Sequence, residues 1–165
     1  MINHPQLKAG EYATIYKELA TLRLQAAHPV LLKLILETSQ LDPSQIIAGC
    51  VMAAAANFDF VKTSTGFNGP GATVEHVRLM AACCELLGAG REDGRRMLVK
   101  ASGGIRTLSD AVTMLEAGAS RLGTSGGVWI AKEAKEMQER SVSPPTVEAM
   151  KNGRPGMTTR LFTDY

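Results

Sequence analysis

The sequence predicts an α/β protein in which short parallel strands alternate with helices. Four short apolar runs, around residues 33, 62, 100 and 123, are separated by segments with helical patterning. Several of those segments begin with residues that typically cap helices. Alternation of this kind favours a parallel sheet with right-handed crossovers, but it does not distinguish an open sheet from a barrel.

The first half of the chain supplies two helices and two strands. A helix is predicted over 10–26, where apolar residues recur at helical spacing. Residues 30–36 then form a nearly continuous apolar run, which is typical of a strand buried on both faces. Asp42 precedes a proline and is a helix cap, so we expect the next helix to run to about residue 56. A strand ending at Lys62 follows.

The next two helices flank a third strand. Thr73 is predicted to begin a helix that ends near Gly88. A polar loop leads from there into a strand ending at Lys100. Thr107 and Asp110 have the spacing of a capping box, so a further helix is predicted directly after this strand.

A short strand over 119–123 and an amphipathic helix over about 128–139 complete the alternation. From residue 141 onward prolines, glycines and polar residues dominate. We therefore expect one partial barrel-like domain over 1–140 and a flexible tail over 141–165.

The composition excludes several classes of partner. The chain has 165 residues, of which 45% are apolar and 21% charged, as in a soluble single domain. A net charge of +2 and 5% aromatic residues favour neither nucleic acid nor an anionic membrane, and no run approaches the roughly 18 apolar residues of a membrane span. Cys50, Cys83 and Cys84 lie in helical segments, so we expect no disulfide framework, no metal site and a cytoplasmic location.

Two lysines stand in equivalent contexts. Lys62 and Lys100 each end an apolar run and are followed by small residues and glycine. Active sites of parallel α/β proteins gather at the carboxyl ends of strands, so the two amines are expected to be neighbours. Burial and a second amine both lower a lysine pKa, which makes the amine nucleophilic. The pattern predicts a Schiff-base site. The alternative is that each lysine only extends its ammonium into solvent, which is common for a lysine at a strand end.

Two glycine-containing loops are candidates for holding a phosphate. Gly103 and Gly104 allow a close approach of backbone amides, and 123–127 offers amides and hydroxyls before a helix. Together they predict a phosphorylated substrate beside a reactive amine. The alternative for Ser125 is that it caps the last helix.

These segments together resemble the deoxyribose-phosphate aldolases. The similar segments occur in the same order at 32–38, 60–67, 71–75, 99–107 and 121–125. The resemblance runs from residue 1 to about residue 130. It implies a TIM-type (β/α)8 barrel, of which this chain carries about the C-terminal half, and a class I aldolase that needs no metal or organic cofactor.

The resemblance also implies an activity and a set of roles. The reaction is reversible cleavage of 2-deoxy-D-ribose 5-phosphate, in deoxyribose phosphate catabolism, to glyceraldehyde 3-phosphate and acetaldehyde. Lys62 matches the Schiff-base lysine, and Lys100 matches the second lysine that lowers its pKa. The positions that match substrate and phosphate contacts are Lys33, Thr65, Gly66, Gly103, Gly104, Ser125 and Gly126. Phe67 and Gly126 replace a lysine and a serine of some bacterial members, so phosphate binding is expected to rest more on backbone amides.

Several alternatives stay open. Lys33 could instead form an ion pair with Glu37 or Asp59. The chain has four predicted strands, whereas the barrel of the family has eight, and a half barrel would leave two sheet edges unpaired. We therefore expect a truncated chain, a partial gene model, or a homodimer that closes the barrel. In the family an aspartate that assists proton transfer precedes the position of residue 1. The competing functions are an inert fragment or pseudoenzyme, or another phosphate-binding Schiff-base barrel such as a thiazole synthase. Tyr165 is either a mobile residue that reaches the site or an incidental terminus.

Overall fold

The computed structural model of the protein describes residues 1–88 and 94–142. Helices and strands alternate along these residues, with a short 3-10 turn (Thr38–Gln40) after the first strand. The elements in chain order are α1 (His4–Lys8), α2 (Tyr12–Gln25), β1 (Lys33–Ile35), α3 (Pro43–Ala55), β2 (Phe60–Lys62), α4 (Val74–Gly88), β3 (Leu98–Ser102), α5 (Leu108–Glu116), β4 (Arg121–Gly123) and α6 (Gly127–Val142).

The four strands form one parallel sheet in the order β1-β2-β3-β4. Val61, Val99 and Ala101 are at most 2% exposed and belong to the hydrophobic core, which α3, α4 and α5 share. Because successive side chains of a strand point to opposite faces of the sheet, the side chains of Lys62 and Lys100 lie on the face away from this core. The predicted parallel α/β alternation is confirmed.

The predicted helix starts at Asp42 and Thr107 are confirmed. Each side chain accepts a hydrogen bond from the backbone N–H three residues later, and the side chain of Gln45 or Asp110 bonds back to the cap. Both are therefore complete capping boxes, a device whose cap residue stabilises a helix by about 1 kcal/mol.

The boundaries differ from the prediction at β1 and at the amino end. Val30 and Leu31 are about half exposed, and β1 begins only at Lys33. The carboxylate of Asp59 accepts the N–H of Leu32 at 2.8 Å, and the carbonyl of Leu32 accepts the N–H of Phe60 at 3.1 Å, so a side chain and the backbone of β2 together fix the end of this stretch. Helix α1 was not predicted, because its five residues are too few to show a periodicity; its signal is Asn3, which caps it, before a proline.

Strand β3 runs two residues beyond Lys100, where the prediction ended it. The extension comes from pairing with β4, because Ala101 and Ser102 are in register with Leu122 and Gly123. The hydroxyl of Thr63 also donates to the carbonyl of Ser102 at 3.1 Å and accepts from its N–H at 3.0 Å. At the β1 edge of the sheet, the N–H of Ile2 donates to the carbonyl of Ile35 at 3.0 Å, so residues 1–3 lie beside β1.

Helix α6 continues to Val142, three residues past its predicted end. The rest of the predicted tail 141–165, including Tyr165, lies outside the described residues. The cysteines lie on α3 and α4, in helices as the sequence predicts, and they are free thiols. Among the described helices, none has the length and apolar character that crossing a membrane requires.

Candidate functional site

Two lysines meet at the carboxyl end of the sheet. Lys62 is the last residue of β2 and pairs in register with Lys100 of the neighbouring β3. Register partners on adjacent parallel strands point to the same face, so both side chains leave the sheet side by side. Each is half-buried, and both line one open cavity of about 640 Å³. The predicted adjacency of the two amines is present.

The same cavity brings together most of the residues that the sequence singled out. Its walls come from the loops after β2, β3 and β4 and from the strand ends themselves. The lining residues are Lys62, Thr65, Gly66, Phe67, Lys100, Ser102, Gly103, Gly104, Ile105, Arg106, Leu122, Gly123, Thr124 and Ser125. Two candidates, Lys33 and Gly126, are not among them.

Lys33 does not line this cavity. It pairs in register with Phe60, whereas Ile35 pairs with Lys62. The Lys33 ammonium lies 5.4 Å from the centroid of the Phe60 ring, and the residue lines a different cavity against α2. A role for Lys33 at the substrate hydroxyls stays a prediction that this placement does not support.

The two carboxylates considered as partners of Lys33 are used elsewhere. Asp59 bonds to the guanidinium of Arg23 at 2.5 Å, and its pKa is lowered by the N–H of Leu32 and by Arg23, which together outweigh burial. Glu37 bonds to Thr65. The ion-pair alternative for Lys33 therefore loses both of its candidate partners.

Gly126 contributes its backbone to the loop rather than to the cavity. Its N–H donates to the hydroxyl of Thr124 at 2.9 Å, and that hydroxyl donates to the carbonyl of Ile105 at 2.6 Å. The N–H of Gly103 is likewise taken, by the carbonyl of Gly123 at 3.3 Å. An anion in the cavity would have to use other amides, and Gly104 and Ser125 are both exposed there.

Close backbone packing shapes the cavity. Gly71 has a φ of +87°, and a Cβ on it would lie 2.4 Å from the carbonyl carbon of Gly103. A Cβ on Gly123 would lie 2.8 Å from Cε of Lys100 and 2.6 Å from Oγ of Ser102. Glycine at 123 is thus what leaves room for the Lys100 side chain. Neither packing role is visible in the sequence, because the contacts join distant segments.

The electrostatics distinguish Lys62. Burial lowers the pKa of its ammonium below the ordinary lysine value, and the positive charge of Lys100 lowers it further. The negative charge of Glu37 acts in the opposite direction. The physical causes are those predicted from the sequence, with Glu37 added.

Sequence reasoning missed Glu37 as part of this site. Its side chain is 1% exposed and its backbone is left-handed, at φ 55° and ψ 60°, which is uncommon for a residue with a side chain. The available signal was a carboxylate directly after a buried strand. Phe67 was noted only as a departure, yet it is 97% exposed at the rim of the cavity.

Comparisons with known proteins show what the chain is similar to. No family model matches the chain. A deoxyribose-phosphate aldolase from Coccidioides immitis is 49% identical over 145 residues, which are 88% of this chain and 51% of that relative. An aldolase called QR15 superposes with a TM-score of 0.73 at 36% identity, over 84% of this chain and 58% of that structure.

A tetrameric deoxyribose phosphate aldolase from Aeropyrum pernix gives a TM-score of 0.66 at 32% identity, over 76% of this chain and 51% of that structure. The chain therefore spans about half the length of the curated relatives it matches. The predicted fold class, part of a TIM-type (β/α)8 barrel, is confirmed.

Proposed function

Because this chain is a partial-length member of the deoxyribose-phosphate aldolase family, as its sequence predicts, we propose that its cavity carries that aldol chemistry. The reaction is reversible cleavage of 2-deoxy-D-ribose 5-phosphate to glyceraldehyde 3-phosphate and acetaldehyde, in deoxyribose phosphate catabolism. The supporting observation is the register pairing of Lys62 with Lys100 inside one cavity.

Lys62 is the nucleophile of the proposed reaction. Its neutral amine attacks the C1 aldehyde of the open-chain sugar, and loss of water leaves an iminium. The C2–C3 bond then breaks; its electron pair moves toward the iminium to form an enamine, while the C3 hydroxyl loses its proton and becomes the new aldehyde. Protonation of the enamine at C2 and addition of water release acetaldehyde and restore the amine.

Lys100 supports that chemistry in two ways. Its charge disfavours the protonated form of Lys62, so more of the nucleophilic amine is present at neutral pH. Lys100 also lines the cavity, so its amine can carry protons to and from the reacting carbons and oxygens.

The substrate phosphate is proposed to bind at the loops after β3 and β4. Gly104, Ser125 and Arg106 are exposed residues that line the same cavity as the two lysines. Oriented amides and a planar guanidinium are favourable partners for phosphate oxygens. This agrees with the expectation that amides carry much of the phosphate binding.

The proposed function also implies partners for this chain. The partner is a small phosphorylated sugar, and a homodimer would cover the open face of the sheet, where Leu98 is 41% exposed. The relative from Aeropyrum pernix is a tetramer. A cytoplasmic location stays a prediction. The inert-fragment and thiazole-synthase alternatives are separated from the aldolase by the trapping experiment below.

The direct test is chemical trapping. The protein is incubated with 2-deoxy-D-ribose 5-phosphate, reduced with borohydride, digested and analysed by peptide mass spectrometry. We expect a reduced adduct on Lys62. A folded protein that gives no adduct would support the hypothesis of an inert fragment and overturn the proposed function.

Ser125→Asp is expected to discriminate between phosphorylated and unphosphorylated sugar. Like charges a few ångströms apart repel by about 1 kcal/mol or more, so KM for 2-deoxy-D-ribose 5-phosphate should rise at least about fivefold. Cleavage of free deoxyribose should change little. Ser109→Asp, an exposed position on α5 outside the cavity, is the matched control. Equal losses for both sugars would contradict a phosphate site at this loop.

A further inference from the structure

A buried carboxylate stands beside the cavity and has no part in the steps above. Glu37 lies two residues after β1 and is 1% exposed. The residue before it, Leu36, donates its N–H to the carbonyl of Lys62 at 2.9 Å. The backbone of the sheet therefore holds Glu37 next to the carboxyl end of β2, where the proposed nucleophile is.

The carboxylate of Glu37 is held by one residue of the cavity wall. Oε2 accepts from the N–H of Thr65 at 3.1 Å and from its hydroxyl at 2.5 Å, and Oε1 accepts from the same N–H at 3.3 Å. The hydroxyl of Thr65 in turn accepts from the N–H of Phe67 at 3.3 Å. Glu37 thus fixes the loop 65–67, whose residues all line the cavity.

The backbone of Glu37 points to the same conclusion. A left-handed conformation in a residue with a side chain is strained and persists where surrounding contacts enforce it, commonly at functional sites. Here the contacts to Thr65 do so.

The charges on the surrounding strands give this carboxylate a second effect. Neighbouring strands carry the cations Lys33, Lys100 and Arg121, whereas Glu37 places a negative charge that acts on Lys62. A Schiff base on Lys62 accepts the electrons of the breaking C–C bond only in its protonated form, the iminium cation. An adjacent carboxylate stabilises that cation.

We infer that Glu37 is a positioning residue of this site, which fixes the loop 65–67 through Thr65 and stabilises the iminium on Lys62 through its charge; the inference rests on the proposed function. The charge effect has two opposed consequences. It favours the protonated amine before reaction, and it favours the iminium after reaction. A purely structural carboxylate would produce neither.

Glu37→Gln separates these effects, because glutamine keeps an acceptor for Thr65 but removes the charge. We expect the NMR titration of the Lys62 ε-carbon to move to lower pH. At neutral pH, the yield of trapped adduct divided by the fraction of Lys62 that its titration shows to be neutral should nevertheless fall about fivefold, the factor that corresponds to about 1 kcal/mol of lost attraction. Asp42→Asn, which removes an exposed capping carboxylate outside the cavity, is the matched control and should change neither.

Thr65→Val tests the positioning half and does not depend on Glu37→Gln folding well. Valine has the shape of threonine without the hydroxyl, and the charge of Glu37 is unchanged. Amide exchange at Phe67 should therefore accelerate, while the titration midpoint of Lys62 stays the same. Unchanged titration and adduct yield in Glu37→Gln, or unchanged exchange in Thr65→Val, would overturn the inference. Absence of any adduct in the wild-type protein overturns the proposed function instead, and the titrations, which need no substrate, are read independently.

Discussion

Lys62→Met is expected to abolish the trapped adduct and to lower turnover of 2-deoxy-D-ribose 5-phosphate by at least ~10⁴-fold, a loss typical of removing a nucleophile. Methionine keeps an unbranched side chain of similar length, so the cavity wall should persist. The lost group is the amine that lies at the end of β2 beside Lys100. Borohydride trapping followed by mass spectrometry, together with steady-state kinetics, measures both effects.

The matched control for that variant is Lys132→Met. Lys132 lies on the exposed face of α6, where its side chain is 66% exposed and pairs with Glu136 at 3.9 Å. We expect full trapping in this variant, with the adduct on Lys62. An adduct that persists in Lys62→Met, or that appears mainly on another lysine, would contradict the assignment of the nucleophile.

Lys100→Met is expected to produce the second-largest effect. Loss of its charge raises the pKa of Lys62, so the pH of half-maximal adduct formation should move upward. Loss of a proton carrier should in addition reduce kcat by about 10²–10⁴-fold, the usual contribution of general acid–base catalysis. The measurements are the pH profile of trapping and kcat at a pH above both midpoints.

Lys100→Arg divides these two contributions. Arginine keeps the positive charge but does not give up its proton in this pH range. The pH profile of trapping should therefore stay close to that of the wild-type protein, while kcat falls as in Lys100→Met. A profile that does not move in either variant would show that the two side chains are not electrostatically coupled.

Local sequence signals predicted the parts of the fold that local interactions determine. The helix starts at Asp42 and Thr107 follow from capping residues within one turn, and the strand end at Lys62 follows from an apolar run before small residues. Lys62 and Lys100 could be placed together because equivalent strand ends meet at one edge of a parallel sheet.

The parts that were missed depend on contacts between distant segments. Glu37 accepts a hydrogen bond from Thr65, 28 residues later, and no local sequence pattern predicts that contact. Gly123 accommodates Lys100 from the neighbouring strand. The role of Lys33 at the substrate stays a prediction; its register partner is Phe60, two residues before Lys62 on β2.

The central claim is that Lys62 and Lys100 share one cavity, where partial burial and the charge of Lys100 make the ammonium of Lys62 easier to deprotonate than that of a free lysine. The most direct measurement is an NMR titration of the Lys62 ε-carbon in the wild-type protein and in Lys100→Met. We expect a wild-type midpoint below the value of about 10.4 for a free lysine, and a higher midpoint in the variant. A midpoint at about 10.4 in both proteins would contradict the account.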